Sequence, residues 1–302
     1  MKILLVNKYL YRKGGAETYF IKLGEYLKSL GNEVEYFGMA DERNCVGNRV
    51  EAYTENIDFH KKSLKHITYP FKIIYSVNAR KQIRKVLSNF KPDVVHLNNF
   101  NYQLTPSIIY EIKKHNIPIV YTAHDVQLVC PNHKLKNDYT DGLCRKCDGG
   151  KYFECVKNNC VHSSKIRSIL GAVEAWYYKL RHTYKMIDLT VCPSEFMEKE
   201  ISRNDDINGR TVTMYNFIDE IKPLGAECEN YVLYFGRYSE EKGISNLVKA
   251  TKKLSNIPFV FAGKGELENE VNSADNIKNV GFKTGDELRN IIEKALFTVL
   301  PA

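Results

Sequence analysis

Four short stretches of this 302-residue chain carry residue types suited to a phosphate-bearing ligand. Gly14-Gly15 follows the apolar run Met1–Val6 and precedes a helical pattern. Glycines there let backbone N–H groups approach a phosphate, and the helix N-terminus adds partial positive charge. The spacing is not G-x-G-x-x-G, so the dinucleotide fingerprint is absent, and a plain tight turn is the competing reading. His124 ends the run Thr122-Ala123-His124-Asp125, where its imidazole is placed to hold a sugar hydroxyl or simply to cap a strand. Arg237 and Lys242 lie in Gly236-Arg237-Tyr238-Ser239-Glu240-Glu241-Lys242-Gly243. A guanidinium fork and a compact ammonium together suit a pyrophosphate leaving group without a metal. Surface salt bridges to Glu240 and Glu241 are the alternative. Gly263 and Gly265 flank Lys264 at the end of another apolar run, where backbone can approach a ligand closely.

A different chemistry is written in Cys144-x2-Cys147-x7-Cys155-x4-Cys160, with Cys130, His133 and His162 nearby. The C-x2-C spacing lets two thiolates reach one tetrahedral zinc, and two more cysteines complete it. Asp141-Gly142, Asp148-Gly149-Gly150 and Asn158-Asn159 supply turns around such ligands. The readings are a closed structural zinc site, unpaired thiols, or a redox pair. Cys45, Cys192 and Cys228 stand apart.

The elements that position these residues follow a βα rhythm. Met1–Val6 reads as a strand buried on both faces, as in a parallel sheet covered by helices. A helix follows over 16–30, closed by Gly31, then a strand over 33–38, which makes a right-handed βαβ unit. The pattern predicts helices over 76–87, 106–115 and 166–185, and another opened by Ser194 as its cap. Strands are predicted over 93–97, 118–122, 189–192 and 211–215. Residues 216–230 read as a linker, after which strands over 231–235, 258–262, 277–280 and 297–300 alternate with helices over 244–254, 266–273 and 286–295. Two such runs predict two doubly wound α/β domains, 1–220 with a Cys-rich insert at 126–165, and 221–302, whose sheet is short for one covered on both faces.

Composition bounds the classes. A 43% hydrophobic chain buries a real core, and 18 Gly with 9 Pro give no disordered or fibrous signal. No apolar run nears the roughly 18 residues of a spanning helix, and Ile3–Val6 falls short of a signal-peptide core of about 7–15. The expectation is a cytoplasmic protein with reduced thiols. The net charge of +8 is densest through Lys61, Lys62, Lys65, Lys72, Arg80, Lys81, Arg84 and Lys85. A solvated helix face, an anionic membrane surface and nucleic acid are the three readings, the last without any binding motif.

Taken in order, GGAE, YTAHD, CPSEFM, the N-x-x-D of Asn216–Asp219, FGRYSEEKGI and FVFAGKGE resemble family-four retaining glycosyltransferases over essentially the whole chain, with GRxxxEKG and the AGxG strand as the specific part. The resemblance implies a GT-B fold, two Rossmann-like domains facing across a cleft. It also implies transfer of a hexose from a nucleotide-sugar, UDP- or GDP-linked, with retention and no catalytic metal. Gly14 and Gly15 resemble the glycine loop near donor phosphates and acceptor, His124 the histidine on the transferred sugar, and Arg237 and Lys242 the pyrophosphate pair. Gly263 and Gly265 resemble the loop beside the base. The implied acceptor is a saccharide or lipid-linked molecule of cell-surface polysaccharide, lipopolysaccharide or glycolipid synthesis, met at the inner face of the plasma membrane, and no nucleic acid is expected as partner. Family members run further and carry a Glu-x7-Glu motif that nothing here matches. The expectation is therefore a truncated chain with weakened activity, and the alternative is an inactive sugar-nucleotide- or partner-binding subunit. Phe217 stands where many relatives have glycine.

Overall fold

A computed structural model describes residues 1–56, 69–137, 142–218 and 223–301. The chain divides into two units, Met1–Phe217 and Ile218–Ala302.

The first unit opens with strand β1 (Lys2–Val6), helix α1 (Gly15–Ser29) and strand β2 (Glu33–Phe37), and β1 pairs β2 in parallel from Lys2↔Glu33 to Val6↔Phe37. Strands β3 (Val94–Leu97), β4 (Ile119–Thr122), β5 (Leu189–Cys192) and β6 (Thr211–Thr213) extend a six-stranded parallel sheet in the order β2-β1-β3-β4-β5-β6. Both faces of β1 are covered, because successive side chains of a strand point to opposite sides. Leu4 and Val6 pack with Ile83, Val86, Leu87 and Phe90 of α3 (Val77–Phe90) and with Ile108, Ile109 and Ile112 of α4 (Ser107–Lys114). Ile3 and Leu5 pack with Phe20 and Ile21 of α1. The Ser194 cap falls where the sequence put it, while Ser76, read as the first residue of a helix, is a cap as well. The Ser194 hydroxyl accepts from Met197 N at 3.2 Å to open α7 (Glu195–Ile201), and Ser76 does the same for Ala79 N at 3.1 Å in α3. Gly31, just past α1, has φ 82°, a left-handed conformation that costs glycine nothing.

Some boundaries differ. The helix expected over 166–185 is α6 (Lys165–Leu180); His182 then takes φ 47°, which breaks the helix and leads into a 3-10 turn at Thr183–Met186. Two short helices, α2 (Tyr69–Ile74) and α5 (Phe153–Lys157), were not foreseen, since neither is long enough to show a 3.6-residue period. In the basic stretch, Lys61, Lys62 and Lys65 lie outside the described residues. Arg80 and Arg84 both clasp the buried carboxylate of Glu111, at 2.8 and 2.6 Å.

The second unit repeats the plan with β7 (Val232–Arg237), α8 (Ile244–Lys253), β8 (Phe259–Lys264), α9 (Glu268–Val271), β9 (Ile277–Asn279), α10 (Gly285–Lys294) and β10 (Phe297–Thr298). Its parallel sheet runs β10-β7-β8-β9. Val232, Tyr234 and Phe261 pack on α8 through Ile244 and Val248, while Leu233 and Ala262 pack on α10 through Leu288, Ile291 and Ile292.

Candidate active site

Open parallel sheets bind ligands outside the carboxyl ends of their strands, at the point where strand order reverses. In the first unit that point lies between β1 and β3, the neighbours from which the chain departs in opposite directions. The loops there are tied together: Lys8 N donates to Asn99 O at 2.7 Å, and Asn99 N donates to Asn7 Oδ1 at 3.0 Å.

Gly14 and Gly15 stand at this edge, at the start of α1. Gly14 is extended, at φ −161°, a backbone open to any residue. A Cβ on Gly15 would meet nothing within 4 Å, so the local packing leaves open space where a ligand backbone contact would need it. His124 follows β4 on the same edge. Its Nε2 lies 2.9 Å from Asn98 Oδ1, which makes Nε2 the protonated nitrogen and leaves Nδ1 as an acceptor. Burial pushes the His124 pKa down to about 4, so the ring is neutral near pH 7. Asn98 is itself buried, and its Nδ2 has no hydrogen-bond partner among the described residues. An orphan donor beside a neutral imidazole suits a hydroxyl-rich ligand. Tyr19, on the first turns of α1, stands edge-on to His124 with centroids 5.4 Å apart, and Phe217 packs against Tyr19 at 5.3 Å. The helix that begins at Gly15 therefore also buttresses His124.

Asn7, Asn98 and Tyr19 are the functional candidates the sequence reading passed over. Asn7 and Asn98 each stand directly after a strand's last residue, the same signal that singled out His124. Tyr19 gave none, because only the fold brings it to the imidazole.

In the second unit the strand order reverses between β7 and β10. Arg237 is the last residue of β7, and Lys242 ends a 3-10 turn (Glu240–Lys242) that runs into α8. Both side chains are exposed, and neither forms an ion pair among the described residues. The surface salt bridge to Glu240 is not formed; that carboxylate takes the Ser245 hydroxyl at 2.8 Å. Between the two cations, Ser239 is buried with its Oγ unpartnered among the described residues. Tyr234 Oη donates to Arg237 O at 2.9 Å and Tyr238 Oη to Asn279 Oδ1 at 2.9 Å, which fixes the backbone on either side of Arg237.

Gly263 and Gly265 have a structural reason besides any ligand. A Cβ on Gly263 would lie 1.9 Å from Gly236 O, and one on Gly265 2.2 Å from Tyr238 O. The continuation of β7 therefore passes too close to admit any side chain there.

Cys144, Cys147, Cys155 and Cys160 do converge, and Cys130 joins them around one cavity of about 10 Å³. Asn137 Nδ2 donates to Cys144 Sγ at 3.2 Å. All eight cysteines are free thiols. Burial, then the neighbouring sulfurs, push Cys147 up to about 12, and burial likewise raises Cys155 and Cys160, in Cys160 against a hydrogen bond with Cys155 that lowers it. Protonated thiols are poor nucleophiles, which speaks against a redox pair. As the side chains stand, no group of three or more His, Cys, Asp or Glu among the described residues is set to hold a metal ion. Asp141, one of the turn residues, lies outside the described residues, as does Asp219 of the N-x-x-D stretch.

Two parallel Rossmann-like sheets, each with its candidate side chains at the carboxyl edge, define the GT-B class of glycosyltransferase fold. The chain belongs to glycosyltransferase family 4, whose pattern matches residues 13–221, while that of glycosyl transferases group 1 matches residues 217–302, and it is a glycosyltransferase. Among curated proteins it is similar to an uncharacterized 42.6 kDa protein of the cps region of Klebsiella pneumoniae, at 25% identity over 95% of this chain and 74% of that one. Among solved structures it is similar to sucrose-phosphate synthase from Thermosynechococcus elongatus (TM-score 0.62, 14% identity, 100% of this chain and 75% of that one). It is also similar to Anabaena HepE in complex with UDP (TM-score 0.59, 15% identity, 99% and 73%). At these identities the two structures show the fold.

Proposed function

We propose that this glycosyltransferase moves a hexose from a nucleoside-diphosphate sugar to a saccharide or lipid-linked acceptor, with retention, in the building of a cell-surface polysaccharide, lipopolysaccharide or glycolipid. The observation that carries the donor reading is the pair of exposed cations that form no ion pair among the described residues, Arg237 and Lys242, at the strand-order reversal of the second unit. Arg237 presents a fork to the phosphate oxygens and Lys242 a point charge, and together they stabilise negative charge as the nucleoside diphosphate departs from an oxocarbenium-like sugar. His124, neutral and with Nδ1 free to accept, holds a hydroxyl of that sugar. UDP in the Anabaena neighbour supports a nucleotide donor. The retaining outcome rests on membership of the family. The cps-region origin of the Klebsiella relative supports the cell-surface setting.

The test is calorimetric titration of UDP and GDP into the chain and into Arg237→Ala and Lys242→Ala. Each substitution removes a charged hydrogen bond and weakens nucleotide binding by about 1.5–3 kcal/mol, roughly 10- to 150-fold. Unchanged affinity in both variants would remove the pyrophosphate role.

For the cysteine segment, the proposal is a structural zinc held by four of the five thiols. It is supported by their convergence on one small gap and by a donor aimed at the Cys144 sulfur, the kind of outer contact that orients thiolate ligands.

A further inference from the structure

A surface helix normally turns its apolar stripe toward the core. Helix α6 turns one outward. Ile166, Ile169, Val173, Trp176 and Leu180 are 73, 42, 41, 37 and 80% exposed. Their spacing of three and four residues places them within an arc of about 80° on one face of the helix. The inward positions are Ser168, Ala172 and Tyr178. Phe153, on α5 packed against α6, is 51% exposed and adds to the apolar surface.

The charge around this stripe is mostly positive. On α6 and its cap, Lys165, Arg167, Lys179 and Arg181 face a single acid, Glu174. The elements packed against α6 add exposed Lys72, Lys151, Lys157 and Lys185. Their acids are Asp148, bound to Arg203, and Glu154, which accepts from Asn158. An outward stripe of aliphatic side chains with a tryptophan, edged by Lys and Arg whose stems can lie along it, has the composition of a helix that lies in a bilayer interface. A protein groove of matching shape would also need acidic rims, whereas an anionic lipid surface supplies negative charge on every side. None of the described helices is long and apolar enough to cross a membrane, so the contact would be parallel to the surface.

We propose that α6 docks the chain on an anionic bilayer, with Ile166, Ile169, Val173, Trp176 and Leu180 entering the headgroup boundary. The inference bears on the acceptor side of the proposed function, since it places the first unit where a lipid-linked acceptor lies, but its test needs no turnover.

Trp176 is the only tryptophan of the chain, so its emission reports on this face alone. Phosphatidylglycerol-containing vesicles are expected to blue-shift its fluorescence, brominated acyl chains to quench it, and pure phosphatidylcholine vesicles to do neither. In cosedimentation, I166S/L180S, two exposed positions that leave the core intact, is expected to weaken partitioning at least tenfold. K165E/R167E is expected to abolish the preference for anionic lipid. Three results would overturn the proposal: no sedimentation with anionic vesicles, sedimentation with Trp176 emission unchanged, or a lipid-independent dimer that I166S/L180S dissociates. Loss of UDP binding by the Arg237 and Lys242 variants with vesicle binding intact, or the reverse, would tell failure of the donor reading from failure of this one.

Discussion

The ring of Tyr19 meets that of His124 edge-on, with an interplanar angle of 71°, and this contact joins the helix of the glycine turn to the candidate sugar-binding imidazole. Phe217, the last residue of the first unit, completes the support by packing on Tyr19 and, at 6.2 Å, on Tyr26. Aromatic pairs of this geometry contribute about 0.5–1.5 kcal/mol each beyond the area they bury. Phe217→Gly is therefore expected to lower stability by about 1–2 kcal/mol. It should reduce kcat while leaving the UDP dissociation constant near wild type. Thermal unfolding, turnover and calorimetry check the three parts; a large change in UDP affinity with kcat intact would contradict the role given to this cluster.

The pH dependence follows from two histidines, His96 on β3 and His124 just past the end of the neighbouring β4. His96, whose Nε2 lies 2.8 Å from Thr122 Oγ1, and His124 are both pushed down to about 4, first by burial. An unfolded histidine titrates near 6.5, so between about 6.5 and 4 the unfolded chain binds protons that the folded chain does not. Stability is full above that window and falls as pH drops through it, by about 1.4 kcal/mol per pH unit for each histidine. The difference in unfolding free energy between wild type and His96→Gln, followed from pH 7 to 4, isolates one of the two. A difference that stays flat across the window would refute the buried, neutral assignment. Turnover should likewise show no inflection near 6.5 from His124.

The alternation of apolar runs and helical periods was enough to place the ten strands of the described residues to within a few residues, most plainly where a strand buried on both faces leaves a continuous apolar run such as KILLV. The candidate cations were legible for a local reason too: Arg237 and Lys242 stand in one loop whose glycines punctuate it. What stayed hidden depends on packing between distant segments. Nothing near Tyr19 in sequence announces His124, more than a hundred residues on. Gly263 and Gly265 look like ligand-facing glycines until the β7 backbone is seen lying against them. Cys130 was noticed but not counted with the other four, and only the fold brings it to their cavity.

Glu111 is an ion-pair centre whose loss should be costly. Its carboxylate is 2% exposed and held down to about 2, by Arg84 first and Arg80 next, against the opposing effect of burial. Glu111→Gln leaves Arg80, 17% exposed, without its counter-ion. Because Arg84 is 53% exposed, the expected loss is about 2–3 kcal/mol rather than the larger cost of a fully buried pair. For a carboxylate with a depressed pKa, the stabilisation is present above the unfolded value near 4.5 and lost as pH falls toward 2. Urea unfolding should show the gap between wild type and variant narrowing from pH 6 to pH 3; a gap independent of pH would mean that the side chain's shape, rather than its charge, matters.

The zinc proposal makes a sharper demand on the cysteine segment. Burial pushes the Cys147 thiol up to about 12 and raises those of Cys155 and Cys160, which favours the protonated form without a metal, and a bound Zn²⁺ would reverse that by stabilising the thiolates. Elemental analysis of protein purified without chelator should give about one zinc per chain. Cys147→Ser should lower that content and the stability together, since the segment then loses a cross-link between α5 and the loop before it. Turnover measured on the folded fraction should be spared, because a site closed by four sulfurs has no open position for chemistry. Zinc below a tenth of an equivalent, with Cys147→Ser as stable as wild type, would assign the five sulfurs to a buried cluster of reduced thiols.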